Sequence, residues 1–434
     1  MEGSQADIII GSIVDMAGVA RAKVVGSRGS KVFAQSGMGA SPSWNVFCVD
    51  DQLAFTPNFS VVGDLRLRID EDDLRVLEPG VFWAPARICH QSGEPAACCP
   101  RTTLDRAVDD LRSAGLEARV GHEIEFTLVP KDGGQPTPWA AYGLGSARRY
   151  GPFMAALLDA ADRTALDIEQ IHAEYGPGQF EISLGPEAPT TAADNLVLAR
   201  MLISSVAREH GAEASFSPMP FVGGSGNGAH LHLSLLRSGR PLFSGGEGPH
   251  GMTDEGGAAI AGVLRFLPDA LGVLACSAAS HLRLRPDTWS GAYCCWGLEN
   301  REAAVRFCAD TRGNPHGANI EVKPIDASAN PYLSTAVILG IALAGIRLEL
   351  PLPSEATINP ALLTADERGR LEIEKLSSNA FVTLERLERS DVLKQILGED
   401  ITEAVLAVRR REYTTFKRSE DEEVAEQLRF VWTL

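Results

Sequence analysis

"VGHEIEFTLV", Val120 to Val129, alternates more strictly than a surface strand requires. Val120, His122, Ile124, Phe126 and Leu128 fall on one side of an extended chain, and Gly121, Glu123, Glu125 and Thr127 on the other. This reads as a strand with one apolar face, in a sheet whose opposite face carries acids. Strand geometry sets Glu123 and Glu125 about 7 Å apart on the same side. Two carboxylates held side by side repel unless something positive stands between them.

Three further stretches repeat the pattern. "HAEYGPGQFEISL" (172–184) sets Glu174 before a Gly-Pro-Gly turn, then Gln179, Glu181 and Ser183 on one face, backed by Phe180, Ile182 and Leu184. "NGAHLHLSLL" (227–236) sets His230, His232 and Ser234 on one face, and "ANIEVKPI" (318–325) does the same with Glu321 and Lys323. Solvent faces normally mix Lys, Thr and Ser, whereas here glutamates recur with an imidazole. Divalent cations relieve such repulsion. Carboxylate oxygens with at most one imidazole suit Mg²⁺ or Mn²⁺ better than structural Zn²⁺, and Mg²⁺ with few protein ligands commonly binds phosphates too. "ENREAAVRF" (299–307) adds Arg301 and Arg306, with Arg283 and Arg285 upstream. Guanidinium forks grip phosphate and carboxylate oxygens bidentately.

Composition agrees with an enzyme. The 434 residues suggest two or three domains. Hydrophobic residues at 44% and charged ones at 22% are ordinary for a globular chain. A net charge of −17 argues against nucleic acid and against anionic membranes. The N-terminal "MEGSQADIIIGSIVDMAGVA" lacks a basic region and is interrupted by Asp15, so no signal peptide is expected. The apolar run "LSTAVILGIALAGI" (333–346) is too short to span a bilayer and suits a buried helix. Eight cysteines, none in a CxxC pair, read as reduced thiols and favour the cytoplasm.

Residues 7–100 look β-rich, with "IVDMAGVARAKVV" (13–25) as strand, turn and strand. A helix starts near Arg101, with Leu104, Ala107, Val108 and Leu111 on one face and Gly115 past its end. It marks the expected boundary between domains at 1–100 and 101–434. Beyond it, strands alternate with long helices at 192–210, 254–278 and 331–349, and the charged tail 364–432 is mostly helical. Two Gly-rich loops lie at 223–228 and 245–251.

With these motifs in order, the chain resembles the glutamine synthetase superfamily, bacterial type I-like, over nearly its whole length. The motifs are "GHEIEF" (121–126), "HAEYGPGQFEI" (172–182), "FSPMP" with "GNGAHLHLSL" (216–235), "RLRP" (283–286), "ENREAAVR" (299–306) and "IEVKPIDASANPYL" (320–333). "VDMAGVARAKVV" and "GDLRLRID" are similar to the family's first domain. The resemblance implies an α+β fold: an N-terminal β-grasp domain, then a catalytic domain with a curved antiparallel sheet and helices. It implies a homo-oligomer of stacked rings, usually a dodecamer, with active sites between subunits. It also implies ATP and glutamate as substrates, with two or three Mg²⁺ or Mn²⁺ ions. By position, Glu125, Glu174 and Glu181 would hold one metal, and Glu123, His230 and Glu321 the one bridging the ATP phosphates. His232 and Ser234 would border the nucleotide, and Arg301 and Arg306 would contact the transferring phosphate. Gly226, Arg283 and Lys323 fall where glutamate is gripped, Lys323 replacing the family's usual Arg. On this view Glu123 and Glu125 point at two different ions.

Three departures bear on the amine. Where the family carries a flap glutamate that helps deprotonate ammonium, this chain has Trp289. The N-terminal loop that should supply an ammonium-binding aspartate has no acid between Phe33 and Cys48. The Asn that helps hold the amino-acid substrate appears as Ser225, with Asn227 two residues on. Ammonium would lose two charge-assisted partners, each worth about 1.5–3 kcal/mol. An organic amine can bind through its carbon skeleton, at about 0.8 kcal/mol per buried CH₂. The expected activity is therefore formation of a γ-glutamyl amide from a small organic amine, with Asp287 as candidate base and Trp289 as an apolar wall. No acidic wall for a distal ammonium is identifiable, which favours a smaller or more apolar amine over a polyamine. The alternatives are an ordinary ammonium-using glutamine synthetase, in which Asp287 or Glu299 replaces the flap acid, a metal-dependent hydrolase, and a catalytically silent ring-forming relative. No Tyr lies between Tyr332 and Tyr413, so nucleotidylation of a tail tyrosine is not expected.

Overall fold

The alternating segments pair into two sheets. The computed structural model describes residues 7–134 and 136–433; the first six residues of the N-terminal stretch read above lie outside that range. In the N-terminal sheet, strands Ile8–Val14 and Ala20–Gly26 form the expected hairpin. Val81–Cys89 lies parallel to Ile8–Val14 and antiparallel to Leu65–Ile69, which pairs with Met38–Ala40, while Arg75–Glu78 also pairs with Val81–Cys89. Leu65, Leu67 and Ile69 alternate inward onto Phe33 of the helix Ser30–Gln35, as a half-buried strand must.

The second sheet has ten strands. Its spine is the quoted stretch, extended to the 15-residue strand Leu116–Pro130. The first half of the spine pairs with Leu231–Arg237 and the second half with Gln179–Leu184. Glu123 and Glu125 therefore stand where the neighbour on one edge gives way to the neighbour on the other. Asn319–Val322, Ala303–Cys308, Tyr293–Leu298 and Glu374–Lys375 extend the sheet one way, and Ile168–Ala173 the other. All pairings in this sheet are antiparallel except that of Tyr293–Leu298 with Ala303–Cys308, which is parallel. The expected antiparallel sheet thus carries one parallel pair. A side-chain period of two marks a face but not a direction.

Ile124, Phe126, Phe180, Leu231, Leu233 and Ile320 point away from the acids and are buried. The helices Pro100–Ser113, Pro189–Glu209, Asp254–Leu274 and Pro331–Arg347 supply the rest of that core. Asp254–Leu274 is long and apolar enough to cross a membrane, but 83% of its apolar window is buried inside the protein. All eight cysteines are free thiols.

Polar groups knit the N-terminal hairpin to the rest. Asn330 donates from Nδ2 to the carbonyls of Val14 (2.8 Å) and Asp15 (3.2 Å), while its Oδ1 caps the helix Pro331–Arg347. Trp432, near the end of the helical tail, donates from Nε1 to the carbonyl of Ala17 at 2.9 Å.

Candidate active site

The polar face of the large sheet lines a cavity of about 810 Å³. Register explains how its acids meet. Glu125 stands directly opposite Glu181, Glu123 opposite Ser183, and Glu321 opposite both His232 and Arg306. Like charges directly opposite across strands are destabilising, so this face is costly unless a cation shares it. His230 Nδ1 lies 3.3 Å from both Glu123 Oε2 and Glu321 Oε1, and 4.0 Å from Glu181 Oε2. His232 Nε2 faces Glu123 Oε1 at 3.4 Å without hydrogen-bond geometry. His172 Nε2 lies 2.9 Å from Glu174 Oε1 and 3.6 Å from Glu181 Oε1.

The electrostatics follow from burial and neighbours. Burial, then the carboxylates of Glu123, Glu125, Glu174 and Glu321, push Glu181 well above the ordinary carboxylate range. Burial would raise Glu123 too, but the hydrogen bond with His230 and the close imidazole of His232 outweigh it and hold Glu123 well below. Glu321 is likewise buried, yet Lys323, whose Nζ sits 2.9 Å away, and the two histidines bring it down to about 2. His232 is held well above the usual imidazole value despite its burial, by Cys308 and Glu123.

Three triads have ligand atoms within 4.8 Å of one another: Glu123, Glu181 and His230; Glu123, His232 and Glu321; and His172, Glu174 and Glu181. Each triad offers two carboxylates and one imidazole, and the carboxylates repel one another as they stand. That fits hard divalent cations. Five of the six ligands expected from sequence fall in these triads and Glu125 lines the same cavity, but the grouping differs from that expectation. Glu125 Oε2 accepts from Gly228 N (2.7 Å) and Gln179 Nε2 (3.3 Å), and His172 joins Glu174 and Glu181 instead.

Cations line the same cavity. Arg283 is buried; its Nη2 donates to the Lys323 carbonyl at 3.1 Å and lies 3.2 Å from His230 Nε2, while its buried Nη1 has no partner. A buried guanidinium N–H without an acceptor is costly, so it offers a ready place for an anion. Gly226 and Gly228 allow this packing. A Cβ on Gly226 would come within 2.8 Å of Arg283 Cγ, and one on Gly228 within 2.4 Å of His230 Nε2. Arg306 pairs with Glu299 and lies 3.4 Å from Glu321 Oε2. Arg301 lines the cavity, exposed and without a partner among the described residues. Ser225 lines it too, whereas Asn227 is fully buried and bonds to the carbonyls of Ser215 and Ser217. His232 stands beside Glu123, outside the cavity wall, and Ser234 lies farther along its strand opposite Arg119.

The flap is Asp287, Thr288 and Trp289. Asp287 (φ 60°) and Trp289 (φ 54°) both adopt the left-handed backbone conformation, a genuine outlier for a residue as bulky as Trp. Thr288 Oγ1 donates to the Arg285 carbonyl at 2.6 Å, and Trp289 N donates to Glu302 Oε1 at 2.9 Å. The Trp289 ring meets Tyr175 edge-on, with centroids 5.8 Å apart and planes at 80°. Asp287 lies exposed at the cavity rim, where Asn359 Nδ2 donates to it at 3.3 Å. Glu299, the other candidate acid, is engaged by Arg306 and the backbone of Ala309.

Sequence reasoning missed His172, Tyr142, Tyr175 and Glu302. His172 shares strand parity with Glu174, a signal that could have found it. Tyr142 stacks on His172 at 5.9 Å from an irregular loop that offers no such signal; burial and the Glu174 carboxylate push its hydroxyl up.

Comparison with known proteins gives a consistent result. The sequence model of the glutamine synthetase catalytic domain matches residues 97–427. The gamma-glutamylpolyamine synthetase GlnA3 of Streptomyces coelicolor is 38% identical over 432 residues, covering 97% of this chain and 93% of that protein. The glutamine synthetase of Methanocaldococcus jannaschii is 30% identical over 367 residues, 82% of this chain and 80% of that one. Among solved structures, a novel glutamine synthase homolog superposes with a TM-score of 0.90 at 30% identity over all of both chains. The ADP complex of GmaS superposes with a TM-score of 0.84 at 26% identity, over 96% of this chain and 95% of that one.

Proposed function

Because the chain belongs to the glutamine synthetase family, we propose that it is an ATP-dependent ligase joining the γ-carboxylate of glutamate to an organic amine. A carboxylate is a poor electrophile. Transfer of the ATP γ-phosphoryl group to it gives an acyl phosphate, the amine nitrogen attacks that carbonyl, and phosphate leaves as the amide forms. Such transfer depends on positioning and charge neutralisation more than on covalent catalysis.

The residues divide the work. Glu125, Glu174 and Glu181, with His172 beside them, would hold one divalent cation, and Glu123, His230 and Glu321 another. When bound, Mg²⁺ or Mn²⁺ supplies positive charge against the phosphate oxygens. The free Nη1 of Arg283 and the Lys323 ammonium would hold the carboxylates of glutamate. Gly226 and Gly228 leave the room this packing requires. Arg301 has a free guanidinium for the moving phosphoryl group, and Arg306 joins it by sharing its Glu299 pair. His232 and Ser234 would border the nucleotide from outside the main cavity. The proposal includes a domain division at 100/101, which limited proteolysis would test, and a homo-oligomer with shared sites, which sedimentation would test.

One observation carries the choice of amine. The flap position holds an indole packed against Tyr175 instead of a carboxylate. That removes a cation-binding acid and supplies apolar surface. The test is phosphate release from ATP and glutamate across ammonium and a panel of organic amines, with the product identified by mass. At least one organic amine is expected to exceed ammonium more than tenfold in kcat/KM, a gap of about 1.4 kcal/mol. Equal or better use of ammonium would return the protein to the ordinary glutamine synthetases.

A further inference from the structure

We infer that Tyr175, Trp289 and Asp287 form a graded track that selects an α,ω-diamine or polyamine over a monoamine of the same length. This rests on the ligase reading above. The track starts at the carboxylate cluster: Glu174 Oε2 accepts from Tyr175 N at 2.8 Å, so Tyr175 begins where the cluster ends. Its ring meets Trp289 at 5.8 Å, and Asp287 stands two residues from Trp289 at the rim. Both rings stand farther out than the acids. Glu181 and Glu321 are 8% and 2% exposed, whereas Trp289 and Tyr175 are 46% and 61% exposed.

Each step of the track suits one part of a long amine. Two aromatic faces favour methylenes, and their rings also attract an alkylammonium by cation–π interaction. Asp287 suits the far end and reverses the expectation from sequence that no acid would face a distal ammonium. Among the described residues that line the cavity, it is the one acid outside the putting-together of Glu123, Glu125, Glu174, Glu181 and Glu321. It makes no ion pair among the described residues, not even with Arg285 on the same wall, and its single side-chain contact is the Asn359 amide. An exposed carboxylate on the cavity wall with no ion pair among the described residues is available to a second ammonium. The backbone supports a purpose for this arrangement. Two non-glycine residues in the left-handed region within three positions store strain, which persists only where surrounding bonds enforce it. Here Glu302 holds Trp289 and Arg285 holds Thr288, which keeps both neighbouring side chains at the cavity.

The experiment compares butane-1,4-diamine with butan-1-amine, and pentane-1,5-diamine with pentan-1-amine, as kcat/KM with saturating ATP and glutamate. The wild type is expected to prefer each diamine at least tenfold. Asp287→Asn should bring the ratio near one by raising KM for the diamine, and Asp287→Glu, which keeps the charge, should restore the preference. Trp289→Leu and Tyr175→Leu should weaken both members of a pair alike. Equal use of diamine and monoamine by the wild type overturns the inference and leaves the ligase reading standing. So does an Asp287→Asn variant whose kcat falls equally for both, the signature of a general base. Absence of ADP formation with every amine and with ammonium overturns the ligase reading itself.

Discussion

Replacing Glu181 by Gln should make the metal-free protein more stable and the metal-loaded protein less so. Glu181 is 8% exposed, faces Glu125 directly across the sheet, and is raised by burial and by Glu123, Glu125, Glu174 and Glu321. A like-charge cross-strand contact costs about 0.2–1 kcal/mol. Glu125 is the one acid directly opposite, so the relief in metal-free protein is at least about 0.2–1 kcal/mol, with burial and the other three carboxylates adding to it. The sign with pH follows from linkage. A carboxylate whose folded pKa lies above its unfolded one destabilises the fold as pH rises from the ordinary carboxylate range toward the folded value. The gain from Glu181→Gln should therefore vanish near pH 4 and grow toward neutrality. With Mg²⁺ or Mn²⁺ the order should reverse, because the amide oxygen is a weaker donor to a hard cation, and less binding energy reaches the folded state. Thermal unfolding with EDTA and with saturating cation, at pH 4 and pH 7.5, measures all four quantities. A Gln variant less stable than wild type in EDTA at pH 7.5, or stabilised equally by cation, would refute the reasoning.

Three further outcomes are expected. Arg301→Lys keeps the charge and loses the planar fork, so turnover should fall about 10–100-fold, the equivalent of one charge-assisted bond; a rise confined to the KM for ATP would count against a role in phosphoryl transfer. Trp289→Glu should narrow the gap between the best organic amine and ammonium by about tenfold, read from kcat/KM, and no change would detach Trp289 from amine choice. Asn330→Ala removes two bonds to the Val14 and Asp15 carbonyls and the cap of the helix Pro331–Arg347, so chemical denaturation should show a loss of about 2–4 kcal/mol.

Much of the protein was legible in its residues alone. Strict alternation in 120–129, 179–184, 230–234 and 320–323 marks which side chains share a face, because a strand's geometry repeats every two residues. The acids and imidazoles of the site could therefore be read in sets. Helical periodicity located the long core helices, and recurring motifs located the family. Pairing between segments is a different quantity. Glu125 meets Glu181, and Tyr175 meets Trp289, only because the register and a strained flap bring distant segments together. The parallel direction of the pair at 293–308 is encoded by no period. In the Gly-rich loop, Ser225 and Asn227 could be exchanged on paper; packing buries Asn227 against Ser215 and Ser217 and leaves Ser225 at the cavity. The exposed position of Asp287 on the cavity wall goes with the φ angles and hydrogen bonds of three flap residues. Local sequence determines which way a side chain faces along its own strand; what it meets across the cavity is settled by contacts between segments far apart in the chain.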